Sequence, residues 1–204
     1  MREFIYYSRN ARTTGNFDLT DLMKAGRMDI ACQMIIMSFF VSHSLRENVK
    51  LHLIFDGPPD APKHLEMNPS QNISIESENK IDISKKDVGS LIKKLLYKYK
   101  KGIKNEISPG YSIEKKSFID LVEELVEQGK EIFVMDKRGG NLREVKKRQL
   151  ENAVFIIGDQ DGIPKDQIKR LKQIPTTKIS VGPVMYFASQ TMTIIQNELD
   201  LKGL

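Results

Sequence analysis

The sequence predicts an α/β protein with a mainly parallel sheet and helices on both faces. Segments with the spacing of strands and of helices alternate from end to end, as expected of parallel strands joined by crossover helices. Near the C-terminus two apolar runs end at glycine, and each is followed by a loop and then by helical spacing. Glycine at the carboxyl end of a strand lets the backbone approach a ligand, and open α/β sheets bind ligands at that edge.

Each predicted strand is a short run of β-branched and aromatic residues that stops at a turn signal. The strands are expected, in chain order, over 4–7, 51–55, 131–135, 154–157 and 177–181. Two further short runs within 62–76 flank Asn68-Pro69-Ser70-Gln71-Asn72, which predicts a hairpin. Loops are expected over 8–15, over 104–112 around Pro109-Gly110, and over 136–141.

The predicted helices place apolar residues at intervals of three and four. A long first helix is expected over 18–43, with Asp18 or Thr20 as its cap. An amphipathic helix over 84–101 turns its lysines outward, and a helix over 117–128 ends at Gly129. Further helices are expected over 142–149, 165–171 and 184–199.

Length and composition are those of one domain with a substantial core, without linkers or repeats. No apolar run approaches the roughly 20 residues that cross a bilayer, and the N-terminus lacks the apolar segment of a signal peptide. We therefore expect a cytoplasmic protein with no membrane partner. The single cysteine, Cys32, excludes an intramolecular disulfide and is expected to be a buried small hydrophobe.

The net charge of +5 is concentrated in two basic blocks. Nine lysines face two aspartates within 80–104, and six basic residues face one glutamate within 137–148. Such blocks favour a polyanion, with nucleic acid ahead of a membrane, although a solvated lysine-rich face is the alternative for the first block. The three histidines, at 43, 52 and 64, are far apart in the sequence, so no metal site is expected.

Three strings in the last third of the chain together resemble the motifs of the SPOUT RNA methyltransferases. They are the strand and loop 134–136, the strand with the glycine-rich loop 158–164, and the strand, Gly-Pro pair and helix over 180–199. The resemblance implies a deep trefoil knot over about 130–204, a rare exception to unthreaded chains. It also implies that three loops of the knot hold S-adenosylmethionine (SAM), and that about 62–104 is a hairpin-plus-helix insertion in a single domain.

Other strings resemble the SPOUT members that methylate N1 of pseudouridine 54 in the T-loop of archaeal tRNA. These strings are Arg12-Thr13-Thr14-Gly15-Asn16-Phe17, Ala25-Gly26-Arg27-Met28-Asp29, residues 55–62 and Gln196-Asn197-Glu198-Leu199-Asp200. The expected function is therefore SAM-dependent methylation of that nucleotide. A pseudouridine in small-subunit ribosomal RNA is the alternative substrate, and RNA binding without catalysis is the alternative of another class.

The resemblance places the SAM contacts on the three motif loops, whereas an ordinary turn is the alternative for the glycines. The expected contacts are Met135, Gly158, Ser180, Val181, Gly182, Pro183, Tyr186 and Thr191. Family members carry a cysteine near the position at which this chain has Thr191, so no covalent role is expected for that position here. None is needed, because N1 of pseudouridine can attack a methyl sulfonium once its proton leaves.

Arginines on loops are the expected phosphate contacts, because their forked donors match phosphate oxygens. They are Arg9, Arg12, Arg27, Arg138 and Arg143. The proton acceptor is sought among carboxylates that follow strands, where a turn-forming aspartate is the alternative. The candidates are Asp56, Asp60, Asp136, Asp159 and Asp161, of which Asp60 and Asp161 lie in the most motif-like loops.

A homodimer is expected from the last helix. Its apolar residues spread around the whole circumference, which exceeds what one core contact needs, and the resemblance implies pairing across a two-fold axis. These residues are Val184, Phe187, Met192, Ile194 and Ile195.

Overall fold

The computed structural model describes residues 1–42, 44–69 and 84–204. Its strands are β1 (Arg2–Ser8), β2 (Phe40–Val41), β3 (Ser44–Leu45), β4 (Val49–Phe55), β5 (Lys63–Met67), β6 (Asn105–Ser108), β7 (Tyr111–Glu114), β8 (Glu131–Asn141), β9 (Ala153–Gly158) and β10 (Thr176–Ser180). Eight of them form one sheet in the order β10-β8-β9-β1-β4-β5-β7-β6, and β2 pairs with β3. Parallel pairing joins β10 through β4 and antiparallel pairing joins the rest. The predicted α/β class is thus confirmed, with a mixed sheet that is mostly parallel.

Helices cover both faces of the sheet. They are α1 (Met28–Phe39), α2 (Lys85–Tyr97), α3 (Phe118–Glu127), α4 (Lys147–Leu150), α5 (Lys165–Leu171) and α6 (Ala188–Leu201). Because side chains alternate along a strand, Phe4 and Tyr6 join the core with α1, α2 and α6, while Ile5 and Tyr7 join the core with α3 and α5. None of the described helices is long and apolar enough to cross a membrane. Cys32 is buried, as expected.

The prediction of one long helix over 18–43 is wrong. A short 3-10 helix (Leu22–Ala25) comes first, Gly26 and Arg27 then adopt positive φ of 71° and 63°, and α1 begins only at Met28. A Cβ on Gly26 would lie 1.7 Å from the Asn10 carbonyl oxygen, so the chain packs directly on the loop after β1. That close approach breaks the helix, and apolar periodicity could not reveal it.

Three other boundaries differ from prediction. Residues 104–112 form the hairpin β6–β7, with Gly110 at φ 80°, rather than a loop. The predicted hairpin over 62–76 yields β5, which pairs with β4 and β7, and the rest of that prediction falls on residues 70–83, outside the described residues. The lysine-rich helix ends at Tyr97, and the segment 142–149 divides into a 3-10 turn and α4.

The motif region keeps its predicted order with shifted ends. β8 extends to Asn141, but its partner β10 pairs Lys178 with Val134 and then Ile179 with Gly140, so residues 135–139 leave the ladder. The predicted loop therefore exists as an excursion within a strand. Helix α6 begins at Ala188 rather than 184, which leaves 181–187 as an extended loop. Helices α3 and α5 and strand β9 lie where the sequence predicts them.

Candidate functional site

Three loops meet at one edge of the sheet because their strands are parallel. Loop A (135–139) interrupts β8, loop B (158–164) follows β9, and loop C (180–187) follows β10. Strand β1 ends beside them, since Tyr7 pairs with Gly158. The predicted SAM-contact residues lie on these loops, except Thr191, which is buried in the first turn of α6.

Loop C is held by its own polar groups. The Ser180 hydroxyl donates to the Gly182 carbonyl at 2.7 Å and accepts from the Gly182 amide at 3.2 Å. A Cβ on Gly182 would lie 3.0 Å from the Tyr186 ring, so only glycine leaves that ring in place. Arg143 donates to the Val181 carbonyl at 3.2 Å. These bonds fix the loop's shape before any ligand arrives.

Loop A approaches β10 closely. A Cβ on Gly139 would lie 2.5 Å from the Ile179 nitrogen, so the two backbones are in direct contact. The Asp136 carboxylate accepts from Lys178 Nζ at 2.7 Å and from the Arg138 amide at 3.0 Å. The Lys178 hydrogen bond, with that of Arg138, lowers the pKa of Asp136 to about 2. Asp136 therefore stays ionised and links loop A to β10 through Lys178.

Loop B is tied to β1 by Asp159. Its buried carboxylate accepts from the Ser8 hydroxyl at 3.0 Å, the Arg9 amide at 3.1 Å and the Asp161 amide at 2.9 Å. Burial raises the pKa of Asp159. A Cβ on Gly158 would lie 3.0 Å from the Gly162 backbone, so this glycine makes room for its own loop.

The remaining surface of loop C is apolar. Val184, Met185 and Phe187 are 56%, 75% and 76% exposed, whereas Met135 and Tyr186 pack partly buried against the core. Close backbone groups beside apolar side chains suit a ligand with a flat base and a polar tail. The loops thus fit the chemistry of SAM, with Met135, Gly158 and loop C as the groups that would hold it.

A cleft of about 230 Å³ lies between the loops after β1 and β4 and the start of α5. It is lined mainly by polar residues, namely Tyr7, Arg9, Asn10, Asp56, Gly57, Pro58, Pro164, Asp166 and Gln167. Within it the Tyr7 hydroxyl donates to Asp56 at 2.8 Å. Because Pro164 belongs to loop B, the cleft adjoins the candidate SAM site.

The N-terminal strings that carry the resemblance converge on the same edge. The Thr13 hydroxyl donates to the Gly57 carbonyl at 3.0 Å and accepts from the Asp60 amide at 2.9 Å. The Arg12 amide donates to the Ala25 carbonyl at 3.2 Å. Segments far apart in the sequence therefore brace the loop that carries Arg9 and Arg12.

The two preferred proton acceptors have different surroundings. Asp60 accepts from Lys63 at 2.6 Å and also from Lys115, and these lysines, Lys115 foremost, lower its pKa to about 2. Asp161 is exposed at the tip of loop B and accepts from the Asn10 side chain at 3.1 Å. Asp60 is consequently a weak base, while Asp161 faces the shared edge without a lysine partner among the described contacts.

The five predicted RNA-binding arginines lie around this edge with unequal freedom. Arg27 forms two 3.0 Å bonds with Asp29, and Arg143 pairs with Glu198 at 2.9 Å. The side chain of Arg138 is 81% exposed, with its Nε 3.5 Å from Asp136 Oδ1, and Arg9 is exposed.

Sequence reasoning missed Tyr97 as a surface aromatic beside this edge. Its ring lies over Gly15, where a Cβ would come within 2.6 Å, and the side chain is 62% exposed. Lys93 donates to the Phe17 carbonyl at 2.7 Å, so the basic end of α2 continues the arginine surface. The signal was an aromatic among lysines, a pattern typical of nucleic-acid surfaces.

For one pair of histidines, separation in the sequence does not mean separation in space. Antiparallel β4 and β5 place His52 opposite Glu66 and His64 opposite Ile54, so the two imidazoles are in contact although twelve positions apart. His43 lies outside the described residues.

Comparisons with known proteins agree over the full length. The family model described as "Putative SAM-dependent RNA methyltransferase" matches residues 1–204. The chain is 34% identical to the tRNA (pseudouridine(54)-N(1))-methyltransferase of Methanococcoides burtonii, over 98% of this chain and 96% of that protein. It is 31% identical to the protein of that name from Methanocaldococcus jannaschii, over 99% and 98%. Its fold is similar to that of Archaeoglobus fulgidus Nep1, crystallised with S-adenosylhomocysteine, with a TM-score of 0.65, 12% identity and 99% and 98% coverage.

Proposed function

The chain belongs to the family of SAM-dependent RNA methyltransferases, and from that premise we propose that it methylates N1 of pseudouridine 54 in tRNA. The observation that carries the proposal is the full-length match to proteins named for that reaction. The converging N-terminal strings support it, because the residues that resemble those proteins brace the same edge as the three loops.

Loops A, B and C are proposed to hold SAM through Met135, Gly158, loop C and the buried Thr191. When bound, SAM supplies a methyl group on a sulfonium. The chain's contribution is alignment, since loop C is already held by Ser180 and Arg143 and needs little reordering. A trefoil knot is part of the proposal. It is supported by the strand order, in which β10 lies outside β8 while β9 lies inside it.

The cleft beside loop B is proposed to take the target nucleotide. Its polar lining suits a base with exposed N–H and carbonyl groups, and the Arg9 guanidinium can donate to a phosphate. Asp161 is proposed as the proton acceptor in preference to Asp60, because the Asp60 carboxylate already accepts hydrogen bonds from Lys63 and Lys115. The proton on N1 would pass to Asp161 or to water as the N–C bond forms.

The RNA surface is proposed to run from the arginines at the edge to the basic end of α2. Arg9, Arg12 and Arg138 supply phosphate contacts, and Tyr97 supplies a face on which a base can stack. Arg27 and Arg143 also lie there, but their ion pairs give them a share in holding α1 and loop C.

A homodimer is proposed through loop C rather than through the whole circumference of α6. Met192 and Ile195 are fully buried and Ile194 packs on the core, so these residues serve the monomer. Val184, Met185 and Phe187, with Leu201 at 74% exposure, remain as apolar surface that a second copy would cover.

The test is transfer of labelled methyl from SAM to two RNA hairpins, each containing one pseudouridine. We expect labelling of the tRNA T-arm in preference to a small-subunit ribosomal hairpin. The reverse preference would move the enzyme to the ribosomal substrate. RNA binding without heat of SAM binding in calorimetry would instead support a non-catalytic RNA-binding protein.

A further inference from the structure

Two imidazoles lie buried side by side on the face of the sheet that carries α3 and α5. His52 on β4 and His64 on β5 are 2% and 1% exposed. His52 Nδ1 lies 2.8 Å from His64 Nε2, and the ring centroids are 5.1 Å apart. Neither residue belongs to loops A, B or C or lines the cleft beside loop B, so the methyl transfer does not use them.

The outer nitrogen of each imidazole meets a carboxylate. His52 Nε2 is 2.9 Å from Glu3, and His64 Nδ1 is 3.0 Å from Glu114. Burial alone would raise the pKa of Glu3, but hydrogen bonds from His52 and Lys130 lower it to about 2. The hydrogen bond from His64, joined by that of Lys116, lowers the pKa of Glu114 to about 2. Each carboxylate accepts a hydrogen bond from an imidazole, which assigns the N–H groups to the outer nitrogens.

The inner nitrogens, His52 Nδ1 and His64 Nε2, then face each other at 2.8 Å. Glu66 lies beside the pair, with Oε2 3.9 Å from His52 Nδ1, and its side chain is 22% exposed. Three atoms of metal-ligand type therefore converge within 4.8 Å of one another, two of them from buried imidazoles and one from a carboxylate that is partly exposed.

We propose that His52 Nδ1, His64 Nε2 and Glu66 form a zinc site that joins β4 to β5. Ligand atoms of a tetrahedral zinc ion lie about 3.3 Å apart, given bonds of roughly 2.0–2.1 Å. The separations of 2.8 and 3.9 Å need changes of about half an ångström, and the His64–Glu66 pair, which lies within 4.8 Å, needs to close by at most about 1.5 Å. Zinc is favoured over magnesium or calcium because two ligands are imidazoles.

The surrounding groups complete the arrangement. Imidazoles that bind metals commonly donate their other N–H to a carboxylate, which fixes the tautomer, and Glu3 and Glu114 occupy those positions. Water reaches the site from the side of Glu66, whose partner Lys104 is 3.2 Å away and 45% exposed. Zinc would therefore bind at the junction of β4 and β5 through three protein ligands, with water from the side of Glu66 in the fourth position.

The experiment is calorimetric titration of the chelator-treated full chain with zinc chloride alone. We expect one zinc per chain and a rise in melting temperature. Glu66→Gln should weaken binding at least tenfold, and Glu114→Gln by about 10- to 100-fold as an orienting group. Glu106→Gln, at an exposed glutamate on β6 of the same sheet, should leave the affinity unchanged.

Cobalt in place of zinc gives a second measurement, because tetrahedral cobalt with nitrogen ligands has intense visible bands. Those bands should be present in the wild-type chain and in Glu106→Gln, and absent from His64→Gln. Absence of zinc uptake by the wild-type chain would overturn the proposal and leave a shared proton between the rings. Equal uptake by wild type, Glu66→Gln and Glu114→Gln would overturn it as well, since the metal would then bind elsewhere.

Discussion

Single carboxylates at the ends of strands acquire different roles from their neighbours. The sequence identifies five aspartates that follow strands, of which Asp56, Asp60, Asp159 and Asp161 stand directly beside glycine or proline and Asp136 does not. It does not show that Lys115 joins Lys63 at Asp60, or that Ser8 reaches Asp159, since Lys115 and Ser8 are distant in the chain from those aspartates. Residue type alone therefore does not predict which of these carboxylates can accept a proton.

Substitution of Asp161 separates the two candidate bases. Asp161→Asn is expected to lower kcat by about 100-fold with little change in the KM for SAM, because a positioned base typically contributes 10²–10⁴-fold. Asp60→Asn should instead lower the melting temperature, because it removes the carboxylate partner of buried Lys63, and should change kcat only a few-fold. Steady-state kinetics and thermal melts of both variants check this. A large kcat loss confined to Asp60→Asn would reverse the assignment.

Elements with strong periodicity were predictable, and those governed by distant contacts were not. Helix α3 has a clear apolar face and a Ser117 cap, α5 begins directly after Pro164, and both lie where expected. The first helix was overextended because its break depends on Gly26 packing against Asn10, and the hairpin β6–β7 was missed because its strands are four residues long. The motif loops were predicted only through resemblance, since periodicity cannot show an excursion such as 135–139.

Strand β1 and helix α6 are joined by Arg2. Its guanidinium donates to Gln196 at 2.6 Å, Asp200 at 2.6 Å and the Leu204 carbonyl at 3.0 Å, and its side chain is 6% exposed. Arg46 makes two further bonds to Asp200 at 2.7 and 2.6 Å. The last helix is therefore fixed to β1, which is the fourth strand of the sheet counted from the edge strand β10.

Removal of Arg2 is expected to loosen α6. Arg2→Ala should lower the free energy of unfolding by about 2 kcal/mol, as hydrogen bonds to charged groups are lost. Arg46→Ala should cost about 1 kcal/mol or less, because Asp200 is partly exposed and keeps Arg2. Urea unfolding of the three proteins measures this difference. Equal stability of Arg2→Ala and wild type would contradict the role given to Arg2.

The ion pairs of Asp200 with Arg2 and Arg46 also make the stability depend on pH, with a defined sign. Hydrogen bonds from Arg46 lower the pKa of Asp200 from 3.8 to about 2, with Arg2 contributing. A lowered folded-state pKa contributes stability that is present above the unfolded value and lost as pH falls through the folded one. The stability difference between wild type and Arg2→Ala should therefore shrink from about pH 4 toward pH 2.

At the scale of the whole molecule, the polar edge and the apolar loop C are separate surfaces, proposed to serve RNA and a second copy of the chain respectively. Arg9, Arg12 and Arg138 lie at the edge next to the basic end of α2, which suits RNA. Met185 and Phe187 are the most exposed large apolar side chains among the described residues, which suits a second copy of the chain.

Loss of that apolar surface is expected to produce monomers. The double variant Met185→Ser, Phe187→Ser should scatter light as a monomer at micromolar concentration, whereas wild type is expected to scatter as a dimer. Met23→Ser, at a methionine that is 60% exposed on another part of the surface, serves as the matched control and should stay dimeric. A monomeric wild-type chain would refute the dimer.

The proposed nucleophile is N1 of a pseudouridine in the T-loop. Uridine has a glycosidic bond at N1 and therefore no proton there, so only the isomerised base can react at that atom. The measurement is transfer of labelled methyl from SAM to two T-arm hairpins that differ only in uridine or pseudouridine at position 54. We predict labelling of the pseudouridine hairpin alone. Equal labelling of both would mean that another atom is methylated, and the assignment would fall.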